Sequence, residues 1–96
     1  MTLPPAIVGR FRSLSLERLE RVEAGWAAVV GGDHERAAVV QHELHTLKGD
    51  ARVVGFTDIH LLAHKLEELM AAAEQRGFRV PDEFDLVMTM AIRLMI

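Results

Sequence analysis

The chain has 96 residues, no cysteine, a net charge of −3 and an even balance of apolar and other residues. That length suits one domain with a modest core, and the lack of cysteine excludes a disulfide framework and thiolate chemistry, which fits the cytoplasm. The slight negative charge gives no nucleic-acid footprint, no run of about 18 apolar residues is present to span a membrane, and the N-terminus lacks the basic-then-apolar layout of a secretion signal.

Thr2-Leu3-Pro4-Pro5 suits a helix start, because proline is tolerated where its missing N–H is not needed. Apolar residues then recur at helical spacing at Val8, Phe11, Leu19, Val22, Trp26 and Val29. Ser13 and Ser15 weaken the middle of this helix and allow a bend. Gly31-Gly32 closes it, and Asp33 can cap the next one. The second helix is expected from about His34 to Val54, with a core stripe of Val40, Leu44, Leu47, Ala51 and Val54. Beside it lies a polar stripe: Gln41, His42, His45, Lys48, Gly49 and Arg52. Gly55 is a natural terminator. Phe56 and Thr57 read as a hydrophobic staple to Leu61 and an N-cap.

So short a connection forces the third helix, about Asp58 to Arg76, antiparallel to the second. Its core face is Ile59, Leu62, Ala63, Leu66, Leu69, Met70 and Ala73, and His60, His64, Glu67 and Ala71 form the adjoining stripe. Gly77 ends it. Pro81, Asp82 and Glu83 open a fourth helix, since acidic residues favour a helix N-terminus. Its expected core positions are Phe84, Val87, Met88, Ala91 and Met95. The methionines read as core filler. There is no strand pattern. The fold class is therefore all-α, an up-down antiparallel four-helix bundle over residues 1–96. The chain stops at Met95-Ile96 inside an apolar periodic run, which reads as a fragment of a longer protein.

The hairpin arithmetic points to chemistry. His45 lies eleven residues before Phe56 and Glu67 eleven after it. Residues equidistant from an antiparallel turn come level, so Glu67 and His64 are expected near His45. A carboxylate that accepts the Nδ1–H of an imidazole fixes its tautomer and leaves the Nε2 lone pair facing out. That arrangement makes a histidine nucleophile. Lys48 supplies positive charge where a phosphoryl oxygen would sit, and Arg52 stands one turn further on. Gly49 opens a gap in the side-chain wall beside His45. A mid-helix glycine costs roughly 1 kcal/mol against alanine, so its presence suggests the close approach of a second body. Phosphoryl transfer needs mainly positioning and charge compensation. No P-loop or kinase signature is present, so the domain alone reads as a carrier: either ATP is bound elsewhere in the parent protein, or phosphate arrives from another chain.

His45-Thr46-Leu47-Lys48-Gly49, with Gly55-Phe56 and then His64-Lys65-Leu66-Glu67, resembles a histidine phosphotransfer domain. The combination is similar to the N-terminal phosphotransfer domain of CheA-type chemotaxis kinases. The resemblance implies that His45 is the phospho-acceptor and Glu67 its Nδ1 partner, with Lys48 and His64 in support. It makes Gly49 the small position at the docking face, and the polar stripe extends the expected partner surface to Gln41, His42 and Arg52. It further implies a histidine-kinase catalytic domain as donor, a response-regulator receiver aspartate as acceptor, and ATP and magnesium on those partners rather than on this domain. The parent would then be a larger signalling kinase in a two-component system, and the isolated domain a cytoplasmic monomer. The chain departs from the family's pattern at Asp50-Ala51-Arg52, where small residues are usual. Such domains tend to carry a fifth helix, whereas this chain ends during the fourth or soon after, so a fifth is expected to be truncated or absent.

Two other classes compete. His42 with His45, and His60 with His64, are helix-spaced pairs that could hold zinc across the hairpin. A helical docking module for a response regulator, with an inert His45, is the other.

Overall fold

The computed structural model describes residues 3–79 and 81–96; Thr2, assigned above to the first helix start, lies outside them. Four helices follow in order: α1 Pro5–Val30, α2 Ala37–Val54, α3 Thr57–Gln75 and α4 Asp82–Met95, with a 3₁₀ turn His34–Arg36 ahead of α2. No strand occurs among the described residues. Each helix packs on the two beside it, α2 on α3 most extensively, and the result is an up-down bundle measuring 44 × 19 × 19 Å. Its length is set by α1, whose 26 residues span about 39 Å at 1.5 Å each.

The core falls into two clusters. One joins Val22, Trp26, Leu44, Leu66, Met88 and Ile92 among others, and draws on all four helices. The second, toward the α2–α3 turn, joins Phe11, Leu19, Leu47, Ala51 and Ala63 from the first three. Leu44 and Leu47 are both fully buried and belong to different clusters. The backbone that carries His45 is therefore anchored on either side.

The turn that sets the hairpin register has a local cause. Gly55 takes φ 83°, a left-handed conformation that costs glycine least. It lets the Phe56 N–H donate to Ala51 O at 2.9 Å and the Gly55 N–H to Arg52 O at 3.3 Å, a Schellman termination that satisfies two end-of-helix carbonyls. Phe56 is then carried to Phe11, with ring centroids 5.1 Å apart. This corrects the expected staple: Leu61 is exposed, and the partner of Phe56 lies on α1.

Other expectations change in detail. Phe56 occupies the N-cap position of α3 and Thr57 is its first residue, with no side-chain cap bond. Asp33 makes no cap bond either; it precedes the 3₁₀ turn, so α2 proper starts at Ala37 rather than His34. The first helix runs unbroken through Ser13 and Ser15. In α4 the expected core residue Val87 is exposed and Ile92 is buried. The α4 helix packs on both α1 and α3, so its buried stripe runs through Met88 and Ile92, one turn apart, and turns Val87 to solvent.

Candidate functional site

His45 projects from the middle of α2 with its side chain 72% exposed, and its Nδ1 lies 3.5 Å from Glu67 Oε1 on α3. Glu67 is 22% exposed, and its other oxygen, Oε2, accepts from Lys48 Nζ at 3.1 Å. Oε1 is buried and has no hydrogen-bond partner among the described residues. A buried carboxylate oxygen without a donor is costly, and the nearest ring nitrogen facing it is His45 Nδ1. An Nδ1–H would relieve that oxygen; an Nε2–H tautomer would set two lone pairs against each other. The site therefore favours the tautomer that leaves the Nε2 lone pair free.

Glu67 thus stands at His45, as equidistance from the turn requires, whereas His64 pairs within its own helix. The His64 Nε2 lies 3.0 Å from Glu68 Oε1, one turn along its own helix, and both side chains are half exposed. The contact recorded for His64 is thus within α3 and not with His45. Lys48 also differs from expectation in part. Its ammonium is engaged with Glu67 rather than standing free for a phosphoryl oxygen. It carries three donors, so capacity remains.

The intended partner surface is partly engaged within the domain. Gln41 donates to Glu74 Oε2 at 3.2 Å, bridging α2 to α3 above the histidine. His42 is exposed and its carbonyl accepts from Thr46 Oγ1 at 3.1 Å. A shallow groove beside His45 is lined by Ala38, Gln41, His42, Glu67 and Ala71. At Gly49 an added Cβ would meet nothing within 4 Å, so the glycine answers no packing demand inside the domain. Arg52 is exposed one turn beyond Lys48. Asp50, the departure from the family pattern, turns toward α1, with Arg18 at 3.9 Å.

One contact escaped the sequence reading. His60 Nδ1 lies 3.1 Å from the backbone oxygen of Lys48. Its place on the same α3 stripe as Glu67 was visible, but its backbone partner was not. The histidines do not converge: His60 is engaged with α2 and His64 with Glu68. Among the described residues no three histidine, aspartate or glutamate side chains gather to hold a metal, which removes the basis of the zinc reading.

The fold is thus a helical bundle in which exposed His45 on α2 stands beside a carboxylate of α3. The Hpt domain family model matches residues 6–96, and the chain belongs to that family. It has a phosphotransfer role in a signalling phosphorelay. Among curated proteins, the gliding motility regulatory protein of Myxococcus xanthus is 31% identical over 74 residues, covering 76% of this chain and 10% of that protein. The chain thus spans about a tenth of that relative's length. No solved structure matches it. No described helix is long and apolar enough to cross a membrane.

Proposed function

We propose that His45 is the phospho-acceptor of this domain, that Glu67 holds its Nδ1–H, and that Lys48 fixes Glu67. The observation that carries the reading is the unpartnered Oε1 of Glu67 facing His45 Nδ1 at 3.5 Å. The His45 Nε2 lone pair attacks the γ-phosphorus of ATP held by a histidine-kinase catalytic domain. An N–P bond forms, the P–O bond to ADP breaks, and ADP leaves with its electron pair. The ring now carries positive charge, which the Glu67 carboxylate stabilises. A receiver-domain aspartate oxygen then attacks phosphorus, and the N–P electron pair returns to Nε2. ATP and magnesium belong to those partners.

The docking surface in this reading is Gln41, His42, Gly49 and Arg52 around His45, with the open face at Gly49 admitting close approach. The parent is a larger CheA-like signalling kinase acting in the cytoplasm, and the relative's name makes regulation of motility the natural output to test. His64, expected in support of His45, pairs instead with Glu68 on its own helix.

The test is phosphate incorporation. The domain and its His45→Gln variant are mixed with a CheA-type kinase core and labelled ATP, then chased with a receiver domain. Acid-labile, base-stable label on the parent alone, lost on adding receiver, is the expected result. Absence of label with the kinase core of its own parent protein would leave a non-phosphorylated docking module as the better account.

A further inference from the structure

His60 is not used by the site described above. It stands one turn into α3, half-buried, with Nδ1 3.1 Å from the main-chain oxygen of Lys48. A carbonyl oxygen only accepts, so Nδ1 must carry the hydrogen. That carbonyl lies inside α2, where it also serves the helix; its two lone pairs allow both bonds.

Lys48 is therefore held at both ends by α3. His60 grips its carbonyl and Glu67 its ammonium, each at 3.1 Å. The two α3 residues are seven apart, two turns, or about 10 Å along the helix axis. A residue fixed at two such points does not let α2 slide or roll against α3 without losing one of them. The apolar contacts at this level resist sliding less, because Ala51 and Ala63 are small. Register matters here: Glu67 Oε1 already stands 3.5 Å from His45 Nδ1, at the outer limit of a hydrogen bond.

We propose that His60 is a positioning residue for phosphoryl transfer: by donating to the Lys48 carbonyl it holds the α2–α3 register at which Glu67 reaches His45. This rests on the reading of His45 as phospho-acceptor. It adds a residue that touches neither the phosphoryl group nor the acceptor ring.

The experiment is ¹⁵N NMR of the imidazole nitrogens in the whole 96-residue chain, alongside phosphorylation rates. In the unmutated protein His60 should be in the Nδ1–H form; a neutral Nε2–H form would overturn the proposal without any variant. His60→Leu removes the donor, and His60→Asn retains an N–H near the position of Nδ1. In His60→Leu, His45 should lose its preference for Nδ1–H, and labelling should slow about tenfold, as small misplacements of a reacting group do. His60→Asn should restore most of both. A purely structural role would lower the melting temperature and leave the His45 tautomer of the folded protein unchanged. A folded His60→Leu with the parental tautomer and rate overturns the proposal, as does a His60→Asn with no Nδ1–H preference at His45. If His60→Leu does not fold, the His60 tautomer and the His60→Asn protein still decide. Failure of the unmutated chain to take label would instead count against His45 as acceptor, and the tautomer spectra would still judge His60.

Discussion

Two carboxylates mark the two interfaces of α2, Glu43 on α2 itself and Glu67 on α3, and they differ in completeness. Glu43 faces α1, where its Oε2 accepts from Arg18 Nη1 at 2.9 Å and Arg21 Nη2 at 3.3 Å, and its Oε1 from Arg21 Nε at 3.0 Å. Burial pushes the Glu43 carboxyl up, but the hydrogen bonds and charges of Arg21 and Arg18 together outweigh it and hold the group below its ordinary value. The same hydrogen bond raises Arg21. Glu67 faces α2 from the other side, with one oxygen on Lys48 and the other waiting at 3.5 Å from an exposed ring. A completed pair can only hold helices together. An incomplete one beside a ring that becomes charged strengthens during the reaction, and interactions stronger in the transition state than in the ground state are the ones that accelerate it.

The largest effect should come from breaking the open side. Glu67→Ala should slow phosphorylation of His45 by about tenfold or more, within the lower range for loss of a proton-holding group, with little loss of stability. Glu43→Ala should leave the labelling rate unchanged and cost on the order of 1 kcal/mol of stability, at the upper end for exposed-type pairs. Equal slowing in both variants would erase the distinction.

The next contrast is steric. A Cβ on Gly25, where α1 meets α2, would stand 2.6 Å from Val40 Cγ2. Val40 is β-branched and stiff at χ1 in a helix, so Gly25→Ala should destabilise by about 1–3 kcal/mol. Gly49→Ala, on the open face, should instead stabilise by about 1 kcal/mol through helix propensity. Thermal melts of the two proteins should move in opposite directions; a loss of stability in Gly49→Ala would show that the face is not free.

The smallest effect is on acid stability. The folded carboxyl of Glu43 is depressed relative to the unfolded chain, so its pairing contributes fully above the ordinary carboxyl range. The contribution is lost as pH falls through the depressed value. Denaturant titrations should show that Glu43→Gln flattens part of the acid limb of stability. An unchanged slope would mean that Arg18 and Arg21 do not discriminate the charged form.

Much of the fold could be read along the chain. Pro5 and Gly31-Gly32 bracket α1, and the Gly55 and Gly77 terminators close α2 and α3 near the expected positions, because caps and glycine terminators act over a single turn. The errors fall where a third helix intervenes. Phe56 went to Phe11 rather than Leu61, and Ile92 was buried in place of Val87. In both cases the residue's own periodicity allowed either outcome. Thr57, Asp33 and the 3₁₀ turn are end effects, where helix assignments commonly move by a residue or two.

The candidate site divides along the same line. Hairpin counting from Phe56 is enough to bring α3 level with His45, because a tight turn leaves antiparallel helices no other register. Periodicity alone placed Gly49 on the polar stripe beside the histidine. Counting put Glu67 and His64 alike at the level of His45 and did not separate their contacts. His64 and Glu67 lie about 60° apart around their helix axis, and only the roll of α3 against α2 puts Glu67 inside and His64 on Glu68. The same roll takes the Lys48 ammonium to Glu67 and brings His60 onto a main-chain oxygen that no residue pattern can reveal. Sequence periods locate a side chain on a stripe; the few tens of degrees that separate a partner from a bystander come from the packing of all four helices at once.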